Sequence, residues 1–174
     1  MKKIGLLSDT HGYLDPALFQ HFEACDEIWH AGDIGDKAIV AQLEQFRPLR
    51  AVYGNIDGHE IKLLTKADLD FELEGLSVRI THIGGYPPGY TPAVRKQLKL
   101  AAPAIFICGH SHILRVMRDP QFGNMLYINP GAAGQEGFHH MRTALKFTLD
   151  KGKVSDMAVI ELGRRGRGQP GSPV

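Results

Sequence analysis

The sequence predicts an α/β (α+β) fold in which a mixed sheet, or two stacked sheets, has helices on the outside. In the first third of the chain, strand-like runs alternate with helical runs of about ten residues, a pattern typical of βαβ units and a parallel sheet. In the last third, strand-like runs follow one another and are divided by turn residues, as in antiparallel pairing. The two patterns together indicate a mixed strand arrangement.

The first third contains three predicted strands and two predicted helices. In chain order these are strand 3–8, helix 15–24, strand 26–33, helix 37–46 and strand 49–55. Asp15 is in the N-cap position of the first helix and Pro16 in the first helical position, which both residue types favour. Strands that alternate in this way with helices are expected to lie parallel.

The remaining elements begin with a hairpin in which apolar and polar residues alternate, at 69–75 and 76–82, joined at Gly75. An amphipathic helix at 91–102 stops before Pro103, and a buried strand follows at 104–109. The last four predicted strands are 113–119, 124–131, 143–150 and 153–162. The segment 84–92, rich in Gly and Pro, is predicted to be a loop of the kind that lines functional sites.

The length of 174 residues and the balanced composition predict one domain, residues 1–162, followed by a flexible Gly/Arg/Pro tail, residues 163–174. A basic interaction arm is the alternative interpretation of that tail. The net charge of +1 gives no general attraction to nucleic acid. We expect no membrane span, because no apolar stretch approaches the roughly 20 residues required, and a cytoplasmic location is the default.

Seven polar side chains with metal-ligating chemistry end predicted strands or follow them closely. They are Asp9, His11, Asp33, Asn55, His82, His110 and His112. Loops at the carboxyl ends of strands converge to form sites in α/β sheets. In an extended chain, residues i and i+2 project to the same side, so Asp9 and His11, and likewise His110 and His112, are expected to point together. We therefore expect all seven to meet at one edge.

Taken singly, each of these residues has an ordinary structural explanation. Gly-Asp is common in turns, Asn55 could adopt a left-handed turn conformation, and His82 could simply end a strand. The fragment ICGHSH alone is equally consistent with packing and with metal binding. Coincidence does not easily explain seven such residues in order at successive strand ends, and the metal interpretation is therefore favoured.

Seven ligands suit two metal ions with four ligands each if one carboxylate is shared. Asp33 is the natural bridge, because its two oxygens can bind two ions about 3.5–4 Å apart. Imidazole and oxygen ligands without thiolate fit first-row divalent ions, with manganese preferred and nickel, iron, cobalt or zinc as alternatives. Cys25 and Cys108 lie in or beside apolar runs and are expected to pack as small hydrophobic residues.

These motifs resemble those of the calcineurin-like metallophosphoesterase superfamily. The resemblance rests on D-x-H at Asp9 and His11, G-D at Asp33, G-N at Asn55, a single His82, and G-H-x-H at His110 and His112. The opening SDTHG, the form GNID and the late INPGAAG are most similar to its small prokaryotic phosphodiesterase branch. The resemblance covers roughly residues 3–160.

The resemblance implies a four-layer αββα sandwich and hydrolysis of phosphodiesters by a hydroxide that bridges two metal ions. Two ligand groups follow from motif position: Asp9, His11, Asp33 and His112 for one ion, and Asp33, Asn55, His82 and His110 for the other. The implied substrate is a small phosphodiester.

The chain departs from the wider superfamily at Ile56, where many members have a histidine after the asparagine. Isoleucine cannot protonate a leaving group. Asp57 and His59 are candidate substitutes, so the predicted catalytic residues are Asp33, Asn55, Asp57 and His59. Water, or no acid at all, are the alternatives. The loss favours activated diesters over alkyl monoesters.

The other polar and aromatic residues carry weaker predictions. Tyr86 and Tyr90 are predicted to stack on a base or aryl group of the substrate, because they lie in the loop after His82. His30 either orients a ligand or is a packed strand residue. Three further histidines, His21, His139 and His140, are predicted to be solvated.

Three alternative functions remain open at this point. One is a non-catalytic protein-interaction scaffold of the same fold, and the intact ligand set weighs against it. The others are a phosphomonoesterase and a nuclease, the latter disfavoured by the lack of a strong basic track for nucleic acid. A homo-oligomer is compatible with all of them. Nucleotide-fold motifs of the G-x-x-x-x-G-K-[ST] and G-x-G-x-x-G types are absent.

Overall fold

Two five-stranded mixed sheets carry most of the chain in this computed structural model, which describes residues 1–166. The first sheet contains β1 Lys2–Leu7, β2 Glu27–His30, β3 Leu49–Ala51, β11 Met141–Asp150 and β12 Lys153–Arg164, in the order β12-β11-β1-β2-β3. Strands β1, β2 and β3 are parallel, whereas β11 is antiparallel to both β1 and β12.

The second sheet has the same mixed character. It contains β4 Asp68–Leu73, β5 Leu76–Thr81, β8 Ile105–Ile107, β9 Leu114–Asp119 and β10 Met125–Pro130, in the order β4-β5-β8-β10-β9. Its three central strands, β5, β8 and β10, are parallel, and the two edge strands are antiparallel. A separate small hairpin is formed by β6 Gly85–Tyr86 and β7 Gly89–Tyr90.

The described helices are short, and two of the four α-helices begin at a side-chain cap. They are α1 Ala17–His21, α2 Lys37–Phe46, α3 His59–Leu64 and α4 Pro92–Leu100, with a 3₁₀ turn at Pro120–Phe122. The Asp36 carboxylate accepts a hydrogen bond from Ala38 N at the start of α2. At the start of α4, Thr91 accepts one from Val94 N, and Pro92 is in the first turn.

Three apolar clusters show how the layers pack. Residues of both sheets share the largest cluster, in which Trp29 of the first sheet and Ile105 of the second are fully buried. A second cluster joins α1, α2 and α3 to the first sheet, and a third joins α4 to the second sheet. The sheets therefore lie face to face with helices outside, which confirms the four-layer αββα sandwich.

The structure differs from the predicted elements at three places. Helix α1 has five residues rather than ten, because the chain turns at Phe22. In this turn Cys25 N donates to Phe22 O. The chain then enters β2 through Asp26, whose carboxylate accepts a hydrogen bond from Lys3 N. The helix α3 was not predicted. The loop 84–92 contains the β6–β7 hairpin.

The end of β12 alters the predicted tail. Gly163 and Arg164 were assigned to a flexible segment, but they are the last two residues of this long edge strand. Arg165 and Gly166 follow the strand, and residues 167–174 of the predicted tail lie outside the described residues. Within residues 1–166, no helix combines the length and the apolar composition that a membrane crossing requires.

Candidate metal centre

All seven predicted ligands lie in loops that follow strands of the two sheets. Asp9 and His11 follow β1, Asp33 follows β2 and Asn55 follows β3 in the first sheet; His82 follows β5, and His110 and His112 follow β8 in the second. Because β1, β2 and β3 are parallel, and β5 and β8 are parallel, their carboxyl ends share an edge within each sheet. Packing of the two sheets brings those edges together.

Six of the predicted ligands form two groups of three in the structure. The ligand atoms of Asp9, His11 and His112 all lie within 4.8 Å of one another, and so do those of Asp33, His82 and His110. The two histidines of GHSH therefore belong to different groups. The division of these six residues agrees with the one that the family resemblance implies, in which Asn55 joins the second group and Asp33 is shared by both.

Asp33 lies between the two groups and faces both. Its Oδ2 is 3.6 Å from Nε2 of His11, and its Oδ1 is 3.2 Å from Nε2 of His82. Asn55 lies on the second side, with its Oδ1 at 3.2 Å from Nε2 of His82. A carboxylate with one oxygen toward each group can bridge two ions.

Five of the seven ligand residues have positive φ angles. These are Asp9 at 53°, His11 at 46°, Asp33 at 53°, His110 at 66° and His112 at 58°. A non-glycine residue in this left-handed region costs of the order of 1 kcal/mol or more, and such residues cluster at functional sites. The extended-chain argument is wrong for both pairs, since the backbone turns at each of these residues. Asp9 and His11 nevertheless belong to one group, whereas His110 and His112 belong to two.

Backbone hydrogen bonds join the ligand loops to one another. Asp9 N donates to Gly32 O at 2.9 Å, and His11 N donates to Asp33 O at 3.0 Å. Within the second sheet, Gly109 N donates to His82 O at 3.0 Å. These bonds satisfy loop groups that would otherwise be buried without partners, and they fix the ligands relative to one another.

Glycine is required where two of these loops approach a carboxylate. A Cβ on Gly54 would overlap Asp33 Oδ1, and a Cβ on Gly109 would lie 2.8 Å from Asp9 Oδ2. The backbone at both positions passes against the ligand oxygens, so any larger residue would displace them.

The donor set has the unsatisfied polar atoms that a bound cation would complete. Among the described residues, Asp9 Oδ1 and His11 Nε2 are buried without a hydrogen-bond partner. The Asp9 side chain is fully buried, and a buried carboxylate is costly unless it is paired or coordinates a metal. Both atoms belong to the first group, which therefore fits a divalent ion, and the similar donor set of the second group fits another.

Interactions with the neighbouring histidines keep the carboxylates of Asp9 and Asp33 ionised. Burial opposes ionisation of Asp9, but the imidazoles of His11 and His112 outweigh it and keep the pKa of Asp9 below its ordinary value. Burial likewise opposes ionisation of Asp33, and His82 lowers the pKa of Asp33 overall. In the ion-free chain Asp9 raises the pKa of His11. A metal ion would replace the protons on these imidazoles.

The orientation of His82 is fixed by the backbone. Its Nδ1 is 2.8 Å from Ala31 O, and a carbonyl can only accept, so Nδ1 carries the hydrogen. The neutral ring then has its lone pair on Nε2, the atom that faces Asp33 and Asn55. This arrangement is the usual one for a metal-ligating histidine.

The neighbouring Cys108 does not belong to the donor set. It is fully buried, its Sγ lies 3.1 Å from the hydroxyl of Tyr127, and burial raises the pKa of its thiol to about 11. Cys108 packs under the ligand loop, as the sequence predicts, and the centre is one of nitrogen and oxygen donors.

The surroundings of Asp57 do not suit the role of general acid that was predicted for it. It is buried, its Oδ2 accepts hydrogen bonds from Ile34 N at 3.1 Å and Gly54 N at 2.7 Å, and its Oδ1 accepts one from Gly35 N at 2.8 Å. Both oxygens are occupied by backbone donors, so the carboxylate holds the loops after β2 and β3 together. It is not free to protonate a leaving group.

The second acid candidate, His59, is the exposed first residue of α3. It lines a surface cleft with Asp36, Lys37 and Glu60, and none of the seven ligands lines that cleft. The structure does not bring His59 together with the ligand groups. The role of general acid predicted for it is therefore unsupported by the geometry.

The two predicted substrate-contacting tyrosines have different surroundings. Tyr90 is only 6% exposed, and its hydroxyl donates to Asp119 Oδ2 at 2.7 Å, so the predicted substrate contact is wrong for this residue. Its ring packs against Phe106 in the cluster under α4. Tyr86 is exposed, with the Arg115 guanidinium 4.3 Å above its ring, and remains a candidate.

His30 is fully buried and connects two ligand loops. Gly32 N donates to its Nδ1 at 3.1 Å, so its hydrogen is on Nε2, which lies 3.0 Å from the Thr10 hydroxyl. That hydroxyl donates in turn to Ile34 O at 2.9 Å. Burial lowers the pKa of His30 to about 4, and the ring is neutral. The only sequence signal was its position two residues before Gly32.

His139 was predicted to be solvated, and this is wrong. It is half-buried, with Nδ1 at 3.3 Å from Nδ1 of His112 and Nε2 at 3.0 Å from Gly134 O. Nothing in the Gly-rich sequence around it signals this contact, because it depends on a loop that folds back over the ligand group.

Comparison with known proteins gives a consistent family assignment. The sequence profile of the calcineurin-like phosphoesterase superfamily domain matches residues 1–152. A probable metallophosphoesterase of Methanothermobacter thermautotrophicus is 34% identical over 137 residues, which cover 74% of this chain and 76% of that protein.

Two further similarities extend this result. A phosphodiesterase of Methanocaldococcus jannaschii is 28% identical over 147 residues, covering 74% of this chain and 82% of that protein. The solved structure of an archaeal phosphodiesterase shares the fold, with a TM-score of 0.73 at 24% identity, and covers 91% of this chain and 99% of that one. The chain belongs to the calcineurin-like phosphoesterase superfamily.

Proposed function

We propose that this protein is a metal-dependent phosphodiesterase that holds two divalent ions in the centre described above. The observation that carries the proposal is the position of Asp33, which turns one carboxylate oxygen toward His11 and the other toward His82. Two three-residue ligand groups that share a bridging carboxylate suit phosphoryl chemistry. A single structural ion would not need both groups.

The chain's own residues bind and orient in this scheme. Asp9, His11 and His112 would hold one ion, and His82, His110 and Asn55 would hold the other, with Asp33 between them. When bound, the two ions supply a nucleophile from water at neutral pH and neutralise the charge of the phosphate. The buried hydrogen bonds of the ligand loops keep this geometry fixed, so little reorganisation is needed during the reaction.

The charge of the loaded centre favours a phosphate ester. Asp9 and Asp33 are its two carboxylates, and they only partly balance two divalent ions. Asn55 adds a neutral oxygen. The net positive charge of the loaded centre would attract a phosphodiester anion.

The surroundings of Asn55 favour an activated diester. Ile56 follows it, with its backbone N donating to Asp33 Oδ1 at 3.1 Å and its apolar side chain 46% exposed. Neither Asp57 nor His59 is placed to protonate a leaving oxygen. A substrate whose leaving group departs as a stable anion, such as an aryl oxide, needs no such acid.

The similarity to the Methanocaldococcus jannaschii protein, which is named a phosphodiesterase, supports diester hydrolysis. Manganese is our preferred ion, with nickel, iron, cobalt and zinc as alternatives for the same donors. We further propose a small diester substrate and a cytoplasmic site of action.

The test is hydrolysis of bis-(p-nitrophenyl) phosphate by the metal-stripped protein before and after addition of Mn²⁺. We expect no turnover without metal and recovery with it, together with two ions per chain by elemental analysis. Asp33→Ala should abolish turnover and lower the metal content. Asp68→Ala, which removes an exposed carboxylate on β4, is the matched control and should change neither.

Retained turnover by Asp33→Ala would contradict the bridging role. Hydrolysis of p-nitrophenyl phosphate in preference to the diester would indicate a phosphomonoesterase. A metal-loaded wild-type protein that hydrolyses neither ester would favour the non-catalytic scaffold of the same fold.

A further inference from the structure

The histidine pair His112 and His139 has a hydrogen-bonding pattern that determines where each proton lies. Nε2 of His139 is 3.0 Å from the carbonyl oxygen of Gly134, and a carbonyl can only accept. His139 therefore carries its hydrogen on Nε2. In the neutral ring the other nitrogen, Nδ1, must then be an acceptor.

The same reasoning extends to His112. Its Nδ1 lies 3.3 Å from the acceptor Nδ1 of His139, so the hydrogen between the two rings belongs to His112. The lone pair of a neutral His112 is then on Nε2. That atom is 3.2 Å from Asp9 Oδ1, inside the first ligand group. A lone pair facing a carboxylate oxygen at this distance is favourable when a cation binds both atoms.

The backbone around His139 holds the pair in place. Gly134, whose carbonyl fixes the His139 ring, donates its own N–H to Asp9 O at 3.0 Å. The loop that carries His139 is therefore anchored to the loop that carries a metal ligand. His112 and His139 also meet edge to face, with ring centroids 5.2 Å apart.

Gly137 shows how closely this loop packs on the pair. Its φ is +122°, and a Cβ built there would overlap the His112 ring at Nδ1 and lie 3.2 Å from Nδ1 of His139. The backbone covers the Nδ1 side of His112, so that nitrogen has little access to water. Among the described contacts, Nδ1 of His139 is the hydrogen-bond acceptor for Nδ1 of His112.

We propose that His139 is a positioning residue that holds His112 as the Nδ1–H tautomer and so presents Nε2 to the ion bound by Asp9, His11 and His112. The proposal rests on the metal centre of the proposed function. His139 touches neither an ion nor a substrate and acts only through His112. Acceptors in this position raise the affinity of a ligating imidazole and fix its direction.

The first experiment reads the tautomer directly in protein loaded with diamagnetic Zn²⁺, because in the metal-free chain the Asp9 carboxylate, 3.2 Å away, would draw a hydrogen onto Nε2 of His112. Long-range ¹H–¹⁵N correlation spectra of ¹⁵N-histidine-labelled protein should show protonated Nδ1 and unprotonated Nε2 for His112. In His139→Ala, the His112 Nδ1–H signals should weaken through faster exchange with water, because the hydrogen-bond acceptor has been removed. His140→Ala removes the exposed neighbouring imidazole and should leave them unchanged.

The second experiment measures Mn²⁺ binding to the same variants by calorimetry. His139→Ala should weaken one of the two sites about 10- to 100-fold and leave the other close to wild type. His139→Gln offers a carbonyl oxygen to His112 Nδ1–H and should restore most of the affinity. If His139→Ala does not fold, Gly137→Ala replaces it in this experiment. Gly137→Ala keeps His139 but crowds the histidine pair, and it should weaken the same site.

Two results would overturn the proposal: an Nε2–H tautomer of His112 in the Zn²⁺-loaded wild-type protein, or Mn²⁺ affinities at both sites unchanged in a folded His139→Ala. Neither measurement uses a substrate. A wild-type protein that shows the expected tautomer and affinities but hydrolyses no diester would refute the proposed function and leave the role of His139 intact.

Discussion

Asp9 Oδ1 and His112 Nε2 lie 3.2 Å apart, although Asp9 follows a strand of the first sheet and His112 follows a strand of the second. The contact forms only when the two sheets pack face to face, so the ligand group depends on the whole fold. The buried Asp9 carboxylate has the imidazoles of His11 and His112 near its Oδ1, and its Oδ2 accepts a hydrogen bond from His110 N at 3.1 Å. The candidate metal centre is therefore formed by loops that meet only in the folded protein.

The two histidines of GHSH should bind different ions. We expect His110→Ala and His112→Ala each to lower the metal content from two ions per chain to about one, because the rings belong to separate groups of three ligands. The double variant should retain little metal. Elemental analysis after gel filtration measures this, with His140→Ala as a control. Loss of both ions in each single variant would show that the two sites do not bind independently.

The buried His30 should make the metal-free protein less stable as the pH falls. Its pKa is about 4 when folded and 6.5 when free, so between these values the unfolded chain binds more protons and the free energy of unfolding decreases on acidification. From about pH 6.5 to about pH 5 the decrease attributable to His30 is about 2 kcal/mol.

Urea denaturation of the metal-free protein across that pH range measures this dependence. His30→Gln keeps a polar side chain in place but has no proton to bind, so it should lack the His30 contribution to the pH slope. His21→Gln, at an exposed position on α1, should retain it. Identical slopes for wild type and His30→Gln would disprove the assignment.

Asp57 should matter for stability rather than for proton transfer. Its carboxylate accepts three backbone hydrogen bonds, and Asp57→Asn turns one acceptor into a donor that faces backbone N–H groups. We expect the free energy of unfolding to fall by about 2–3 kcal/mol. Asp68→Asn, at an exposed position, should change it by no more than about 0.5 kcal/mol.

The alternative role of Asp57 predicts a different outcome. If Asp57 were the general acid, Asp57→Asn would remove the limb of the pH–rate profile that reports this acid, while the free energy of unfolding would be nearly unchanged. Denaturation curves and pH–rate profiles measured on the same preparations separate the two cases.

Tyr90 and Tyr86 should respond differently to substitution. Tyr90→Phe removes the hydrogen bond to the buried Asp119 and should cost about 1–3 kcal/mol of stability without changing KM for bis-(p-nitrophenyl) phosphate. Tyr86→Ala removes an exposed ring and should leave stability within about 0.5 kcal/mol. A raised KM in Tyr86→Ala would support the substrate contact predicted for it, whereas a raised KM in Tyr90→Phe would contradict its placement in the core.

Much of the fold was predictable because hydropathy periodicity reports burial directly. The strands β1, β2, β5 and β8 have apolar runs with polar residues just past their ends, and the helices α2 and α4 have clear caps. Helix α3 was missed because it has only six residues, too few for a period to be visible. The loop 84–92 was recognised from its Gly and Pro content, but its hairpin was not.

The functions of individual loop residues were less predictable. Asp57 and Tyr90 looked like site residues from their positions in sequence, yet one binds backbone donors and the other packs in a core cluster. His139 looked like a solvated turn residue, yet it contacts a ligand. In each case the deciding partners are distant in sequence, and local pattern carries no information about them.

The amino-acid sequence by itself determined the chemical types of the ligands, their places at successive strand ends and the layered α/β class. The family resemblance of the motifs implied separate ions for His110 and His112 and a shared Asp33, and only the tertiary structure decided the contacts of Asp57, Tyr90 and His139. The physical reason is that strand ends follow from local burial. The direction of a loop side chain, in contrast, follows from left-handed backbone angles and from hydrogen bonds that exist only once both sheets have packed.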